Sequence, residues 1–446
     1  MKEIKKLALV LGCVVLFAVF YILCSNSAKS VRDYYASGGL SNNNMEAIQN
    51  VSIEDAIMEY VARNMEQEVK ITGTGDIMFY DYQMDRAYDS GSQTFDFSPS
   101  FSYISKYLDD SSYVLGNLEA TMAGANNGTG SNTYGYWADS QNMNFNVPEQ
   151  AAADLKAAGF DMLTTANNHV LDSGLEGVSS TIDFITAAGL EQTGSFKSET
   201  GQRYVIRDVD GIQVGVTAYT NVVNTTLDDS NSYVVNHLDD FSESQISLMC
   251  EQIQEMRAAG AEVVIVNLHF GVRYSSTVSD AERSLATQLV EAGADVIFGS
   301  YPHVVKPMEV ISVTDEDGTS RQGVVFYSLG NFISSMQYQS ANGYPRDLGA
   351  VASVLISKNS SGVQIDSVEI IPTYVDWTDE DIAVLPICEA IDNPQAFESR
   401  FGDDANSYLD QQRMEDGYDS VIETIIGDSG LTYTYSDYKY QISLEK

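Results

Sequence analysis

The sequence predicts an α/β fold in which helices enclose two layers of sheet. Three observations carry that prediction. Short apolar runs are followed by polar turns and then by segments of helical period, the order that builds a parallel sheet. One run, Glu262–Leu268, is apolar nearly throughout, as expected of a strand covered on both faces. From Pro307 onward strands follow one another directly, separated by the turns Asp315-Glu316-Asp317-Gly318 and Asn359-Ser360-Ser361-Gly362.

Taken in order, the chain opens with Lys2, Lys5 and Lys6 ahead of Leu7–Cys24, eighteen residues without a charge. That length is near the lower limit for a membrane span. The positive flank predicts a cytoplasmic N-terminus with the rest of the chain outside. A signal peptide cleaved near Ser25-Asn26-Ser27-Ala28 is the alternative, but the run exceeds the usual signal core and favours an uncleaved transmembrane anchor over residues 1–24. A lipoprotein reading through Cys24 fits less well, because bulky Ile22-Leu23 precedes it. Residues 25–68 read as a stalk, with a short helix from Ser52 that places Ile57, Tyr60 and Val61 on one face.

The folded domain is expected over residues 69–375. It begins with a strand at Val69–Gly73, a helix through Ile104 and Tyr107, and a strand at Tyr113–Leu115. The Gly- and Asn-rich stretch Gly124–Gly135 is a surface loop. A helix after Pro148 closes at Gly159, followed by a strand at 160–164 and a helix at Val178–Ala188 ended by Gly189. Strands Tyr204–Val209 and Ile212–Tyr219 flank Asp210-Gly211, a strong hairpin signal. Helix Phe241–Ala259, strand Glu262–Leu268, helix Asp280–Ala292 and strand Asp295–Phe298 continue the alternation. Strands at Met308–Val313, Gly323–Tyr327, Gly349–Ser357 and Val363–Tyr374 complete the domain. Residues 376–446 are an acidic extension, expected to be partly helical and not attached to any site.

The 446 residues carry a net charge of −39, which argues against nucleic acid and anionic lipid as partners. A polyanionic partner would have to be held through local basic residues or bound divalent cations. Of four cysteines, Cys13 and Cys24 fall in the apolar run, and Cys250 and Cys388 describe neither a disulfide framework nor a metal motif.

The chemistry gathers in the turns after the strands. Asp76 follows the first, Glu119 the next, and Asn168, His169 and Asp172 the third; His269 and His303 follow later ones. Ligands in open α/β sheets sit outside the carboxyl ends of strands. Each residue alone has a bland explanation, since Asn168 or Asp172 would serve as a helix cap. Together they are harder to dismiss: the chain has four histidines, and three lie in these turns. Carboxylate, carboxamide and imidazole converging there form a site suited to zinc, manganese or iron. Arg273 and Tyr274, just after His269, are placed to meet an anionic substrate, with a surface salt bridge as the alternative. Tyr134, Tyr136 and Trp137 either line a polymer groove or pack their own loop.

Seven stretches in order, Gly75-Asp76-Ile77-Met78, Gly116-Asn117-Leu118-Glu119, Ala166–Gly174, His269-Phe270-Gly271, Gly293–Ile297, Pro302-His303-Val304 and Tyr327–Phe332, resemble the motifs of the CapA family of capsule or poly-γ-glutamate synthesis proteins. The resemblance runs from Val69 to Tyr374. It implies a domain like the calcineurin-like metallophosphatases, a four-layer α/β/β/α sandwich with a possible dinuclear centre. It implies Asp76, Glu119, Asn168, His269 and His303 as metal-ligand positions, and His169 as the acid or electrostatic residue, with Asp172 beside it as the second catalytic candidate. Asn331 would support the site, by shaping a turn or by orienting a ligand histidine. Three departures stand out: Tyr301 where the family often has His, Phe270 where Trp is common, and Met78 where metallophosphatases have a second-position His. The inventory serves one divalent ion comfortably and two with difficulty. Two functions follow: a membrane-anchored, extracytoplasmic, metal-dependent hydrolase or transferase acting on a cell-envelope anionic polymer, or a non-catalytic component that binds the polymer or its synthesis machinery. A purely structural surface protein ranks last.

Overall fold

The strand expected at Val69–Gly73 is β1 (Gln67–Ile77), and it continues far enough to bring Asp76 into the sheet. In this computed structural model residues 67–444 are described, apart from 126–133, 139–142, 240, 315–317, 319, 339–341, 360–361, 402–404 and 428. The apolar run Leu7–Cys24 and the expected stalk helix lie outside the described residues. Among those described, no helix is long and apolar enough to cross a membrane.

After β1 come β2 (Tyr113–Leu118), α1 (Gln150–Ala157), β3 (Met162–Thr164), α2 (Gly174–Ala187) and β4 (Glu191–Thr193). Helix α2 starts earlier than expected, because its buried apolar stripe begins only at Val178. β5 (Val205–Val209) and β6 (Ile212–Thr220) form the expected hairpin. Asp210 and Gly211 have φ of 48° and 89°, the positive values that a two-residue primed turn demands. Then follow α3 (Glu243–Ala258), β7 (Val263–His269), α4 (Asp280–Ala292) and β8 (Val296–Ser300). Helix α4 begins in a capping box: Ser279 Oγ accepts from the Glu282 N–H, and the Glu282 carboxylate accepts from the Ser279 N–H at 2.6 Å. Strands then dominate, as β9 (Met308–Thr314), β10 (Ser320–Phe326), β11 (Asn331–Ile333), β12 (Leu348–Asn359), β13 (Gly362–Trp377) and β14 (Ile382–Pro386). The chain closes with α5 (Ala405–Ile426), β15 (Tyr433–Ser436) and β16 (Lys439–Ser443).

Two large sheets result. The ten-stranded sheet runs β15-β16-β13-β12-β1-β2-β3-β4, with β11 beside β1 and β14 beside β13; the six-stranded sheet runs β9-β10-β8-β7-β6-β5. Strands β1 to β4 are mutually parallel, as are β6, β7, β8 and β10. One core joins the sheets, with Ile71, Leu115 and Met162 meeting Val216, Ile265 and Phe298. A second packs Ile253 of α3 and Leu289 of α4 against Val264, Val266 and Ile297 of the six-stranded sheet. A third packs Ala151 and Leu155 of α1 against Val114 and Leu163 of the other. Strand β7 is buried at every residue, as its apolar sequence requires.

The acidic tail is helical at α5, as expected, but it also builds sheet. β13 runs through the expected boundary at residue 375, and β14 and β16 both pair with it. The reason is legible only in three dimensions: Tyr440 and Ile442 alternate inward within an otherwise polar segment, too short a pattern to read as a strand. Arg400 pairs with Asp376, and Arg413 grips Asp347 through two hydrogen bonds of 2.8 and 3.0 Å, fastening the tail.

Two glycines make the site's geometry possible. A Cβ on Gly73 would lie 2.5 Å from the Phe298 ring, so the two sheets approach here only because Gly73 has none. A Cβ on Gly75 would lie 2.1 Å from the Gly330 carbonyl oxygen, which accepts the Asp76 N–H at 2.9 Å. The β1–β2 register slips between Gly73 and Asp76, and such a bulge re-aims the residue that follows it.

Candidate metal centre

Because the parallel strands of both sheets end at the same side, their following turns converge. Asp76 ends β1, Glu119 follows β2, Asn168 lies beyond β3, His269 ends β7, and Tyr301-Pro302-His303 follows β8. Tyr301 and His303 have φ of 94° and 58°, unusual for residues with a Cβ. Strain of this kind persists where the surrounding structure holds it, and it clusters at functional sites. Here the Tyr301 N–H donates to Asp76 Oδ2 at 3.0 Å, tying the turn to the opposite sheet.

All five metal-ligand positions inferred from the sequence come together. Donor atoms of Asp76, Glu119 and His269 lie within 4.8 Å of one another. His303 Nδ1 is 3.5 Å from Asp76 Oδ2, and the Nε2 atoms of His169, His269 and His303 each lie 3.8 Å from Glu119 Oε1. The Asn168 amide places one of its two heavy atoms 2.9 Å from Glu119 Oε1 and 2.8 Å from His269 Nε2. Asp76 and Glu119 are fully buried, and His269 and His303 nearly so.

The protonation pattern shows what the cluster can hold. Burial opposes the charge on Asp76, yet the imidazoles of His269 and His303 outweigh it and keep that carboxyl well below the usual range. Burial, with the Asp76 charge beside it, pushes Glu119 well above its ordinary value. Burial lowers His269 to about 4, so its ring is neutral at pH 7 and has a lone pair to give. His303 is more telling. Asn331 Nδ2 donates to the Arg346 carbonyl at 2.8 Å, which fixes Asn331 Oδ1 as the acceptor facing His303 Nδ1 at 3.1 Å. Nδ1 of His303 is thus the donor to Asn331, and Nε2 is left to face Glu119 Oε1 at 3.8 Å. Glu119 Oε2 is buried with no hydrogen-bond partner among the described residues. A buried carboxylate oxygen without a partner, set among imidazole nitrogens, is what a cation relieves; Asp, Glu, Asn and two His fit a single divalent ion of borderline hardness.

A family profile described as "Bacterial capsule synthesis protein PGA_cap" matches residues 70–336. The chain belongs to this family, the CapA family. Relatives include the capsule biosynthesis protein CapA of Bacillus anthracis, 30% identical over 238 residues, which are 52% of this chain and 53% of that protein. The PGA biosynthesis protein CapA of Bacillus subtilis (strain 168) is 26% identical over 235 residues, 52% of this chain and 56% of that one. The chain thus spans about half the length of the curated relatives it matches. Among solved structures, the sulfate thiohydrolase SoxB of Thermus thermophilus in complex with glycerol aligns with 14% identity and a TM-score of 0.32 over 65% of this chain and 42% of that chain, too distant a likeness to bear on the site.

Within this CapA-family site, His169 and Asp172 form a dyad. Asp172 Oδ2 accepts from His169 Nδ1 at 2.7 Å and from the Phe145 N–H at 2.7 Å, so His169 Nε2 faces the centre. Neither Asn168 nor Asp172 caps α2, whose N-cap is Ser173. Arg273 is exposed, lies 5.4 Å over the Tyr301 ring and has no carboxylate partner among the described residues, so it is no surface salt bridge. Arg273 Nη2 lies 3.0 Å from the outer heavy atom of the Asn168 amide. The Tyr274 ring stands 6.1 Å from that of His303. Tyr301 faces the centre, its ring 5.0 Å from His269, and burial pushes its phenol above the ordinary value, so it is neutral at pH 7. Met78 is turned into the apolar core, away from the site. Tyr134 packs on Phe95 and bonds Glu149, as a loop's own packing would have it; the side chains of Tyr136 and Trp137 lie outside the described residues.

Reading the turns for ligands missed three groups that hold them. Asn117 donates to Asp76 Oδ1 at 2.8 Å and lies 3.2 Å from His269 Nδ1. Ser300 Oγ lies 2.9 Å from His269 Nδ1. Asn167 bonds the Leu118 carbonyl at 2.7 Å and fixes the loop from which Asn168 projects. Asn117 and Ser300 sit in polar tips of strand-end motifs, a signal the sequence contained.

Proposed function

We propose that this CapA-family chain is a membrane-anchored, extracytoplasmic protein acting on an anionic cell-envelope polymer, poly-γ-glutamate or a related capsule material, as a metal-dependent hydrolase or transferase. The proposed scaffold is the four-layer α/β/β/α sandwich of the metallophosphatase type, which the three packed cores support. The observation that carries the reading is the Glu119 carboxylate: buried, one oxygen without a partner, the other ringed at 3.8 Å by three imidazoles.

Asp76, Glu119, Asn168, His269 and His303 would hold one divalent ion, manganese, zinc or iron. When bound, it would supply Lewis-acid polarisation of a phosphoryl or carbonyl oxygen and lower the pKa of water. The chain's own residues do the rest. Asp172 keeps the His169 ring oriented so that Nε2 can hold or give a proton at the reacting group. Arg273, on the Tyr301 ring, orients an anionic group of the substrate. One observation favours the second reading, a polymer-holding component without turnover: neutral Tyr301 occupies the place of a ligand histidine, and a neutral phenol is a poor ligand.

The test is elemental analysis of the purified protein after exposure to zinc, manganese and iron, with His269→Ala alongside. About one metal per chain, lost in the variant, is expected, and screening of phosphoesters and γ-glutamyl polymers then separates the two readings. A wild-type protein that takes up none of the three would sink the metal centre.

A further inference from the structure

Resting on that proposed site, a second feature beside it narrows the ligand. Among the described residues, Arg86, Arg203, Arg273 and Arg346 are without a carboxylate in ion-pair distance, in a chain with 63 acidic and 24 basic residues. Arg86 donates to the Thr378 and Tyr82 carbonyls, and Arg203 to the Tyr233 carbonyl and Asn236 Oδ1. The other two stand at the strand-end site. Arg346 donates from Nε to the Gln337 carbonyl at 3.2 Å, and its two terminal nitrogens meet no acceptor among the described residues.

Arg346 is held in place by rings. Its guanidinium carbon lies 5.3 Å from the centroid of Tyr274, which is stacked on Tyr344 at 4.9 Å and 27°. Tyr274 has φ of 63°, and its N–H donates to the Pro302 carbonyl at 2.7 Å, so a strained residue presents this ring next to the His303 turn. The Arg346 backbone carbonyl is the one that orients Asn331 against His303. Both guanidiniums stand over rings that flank His303: Arg273 over Tyr301, whose ring is 6.2 Å from the imidazole, and Arg346 over Tyr274, whose ring is 6.1 Å from it. A guanidinium held over an aromatic face can turn its remaining donors to a planar or tetrahedral anion.

The geometry points to a second anion-binding position beside the metal centre: Arg346 on the Tyr274–Tyr344 stack takes one anionic group while Arg273 takes its neighbour, so the ligand is a chain carrying anionic groups on successive units. Both carboxylates and phosphates have that chemistry.

Titration calorimetry on the metal-loaded protein tests it. One arm compares acetate with a glutamate trimer, the other inorganic phosphate with a glycerol-phosphate trimer; the arm that shows the gain identifies the source. In that arm the trimer should bind at least about tenfold tighter than the single anion, the factor of one charge-assisted hydrogen bond. Arg346→Gln should erase the gain while single-anion binding, metal content and the unfolding midpoint stay unchanged, because the backbone carbonyl that orients Asn331 remains. Arg203→Gln, remote from the site, should keep it. A gain that survives in Arg346→Gln, or no gain in the wild type in either arm, overturns the proposal. The metal assay separates the failures: metal bound but no Arg346 effect defeats the subsite alone. An Arg346 effect in protein that binds no metal defeats only the metal centre.

Discussion

Replacing Glu119 by Gln should stabilise the protein without metal and destabilise it with metal. The carboxylate is fully buried beside Asp76, and burial raises its pKa well above the ordinary 4.5. Holding such a group in the fold at pH 7, where the unfolded carboxyl is ionised, costs on the order of a few kcal/mol. Gln keeps the shape and avoids that cost. Allowing for an amide that must find new partners, a gain of about 1–3 kcal/mol is expected, a few degrees in unfolding midpoint. The sign with pH follows from the raised value. The wild type has its full stability below pH 4.5, where Glu119 is protonated folded or unfolded, and loses this share as pH climbs from 4.5 toward the raised folded pKa. The gap between variant and wild type should therefore be small at pH 5 and widen toward pH 8. With metal at a thousand times its dissociation constant, the wild type gains about 4.1 kcal/mol, and the variant, short of an anionic ligand, gains little. The order of the two proteins should invert. The assay is thermal unfolding in chelator and in metal at three pH values. A variant less stable than the wild type in chelator at pH 8 would refute the reasoning, since Glu119 would then serve the fold itself.

Three further outcomes are expected. Tyr301→His, in a position whose ring faces His269 at 5.0 Å, should raise metal per chain from about one toward two by elemental analysis; an unchanged stoichiometry would mean that this side chain does not reach the centre. Asp172→Asn removes the acceptor of the His169 Nδ1 proton, and turnover of whichever phosphoester or γ-glutamyl substrate the wild type cleaves should fall about a hundredfold at constant metal content. Equal turnover would leave Asp172 with a packing role. Lys306 and Glu282, both buried beneath the His269 and His303 turns, form an ion pair; Lys306→Met strands the carboxylate and should cost about 3–5 kcal/mol in urea unfolding, with much of it recovered by adding Glu282→Gln. A loss under 1 kcal/mol would show that water reaches the pair.

Much of this protein is legible from local chemistry. The hairpin at Asp210-Gly211, the helix that opens at Asp280 and the buried strand Val263–His269 follow from preferences of residues a few positions apart. The polar cluster at the strand ends was legible for a related reason: a chain with four histidines that puts three of them after strands has little folding use for them there. What sequence could not decide was which polar tips face inward. Asn167 and Asn168 are neighbours of one chemistry, yet Asn168 meets Glu119 while Asn167 turns back to Leu118. Asn117 becomes a bridge between Asp76 and His269 only because β1 and β7 belong to different sheets that close on one another over Gly73. The strands of the tail escape a local reading for the same cause, since β16 is a strand only where β13 offers it an edge. Sequence by itself determined the elements and the chemical character of their ends, because those depend on short-range backbone sterics and on the periodicity of apolar residues. Only the tertiary structure decided the site, because burial, the direction of each lone pair and the pKa of Glu119 are set by atoms from strands more than two hundred residues apart.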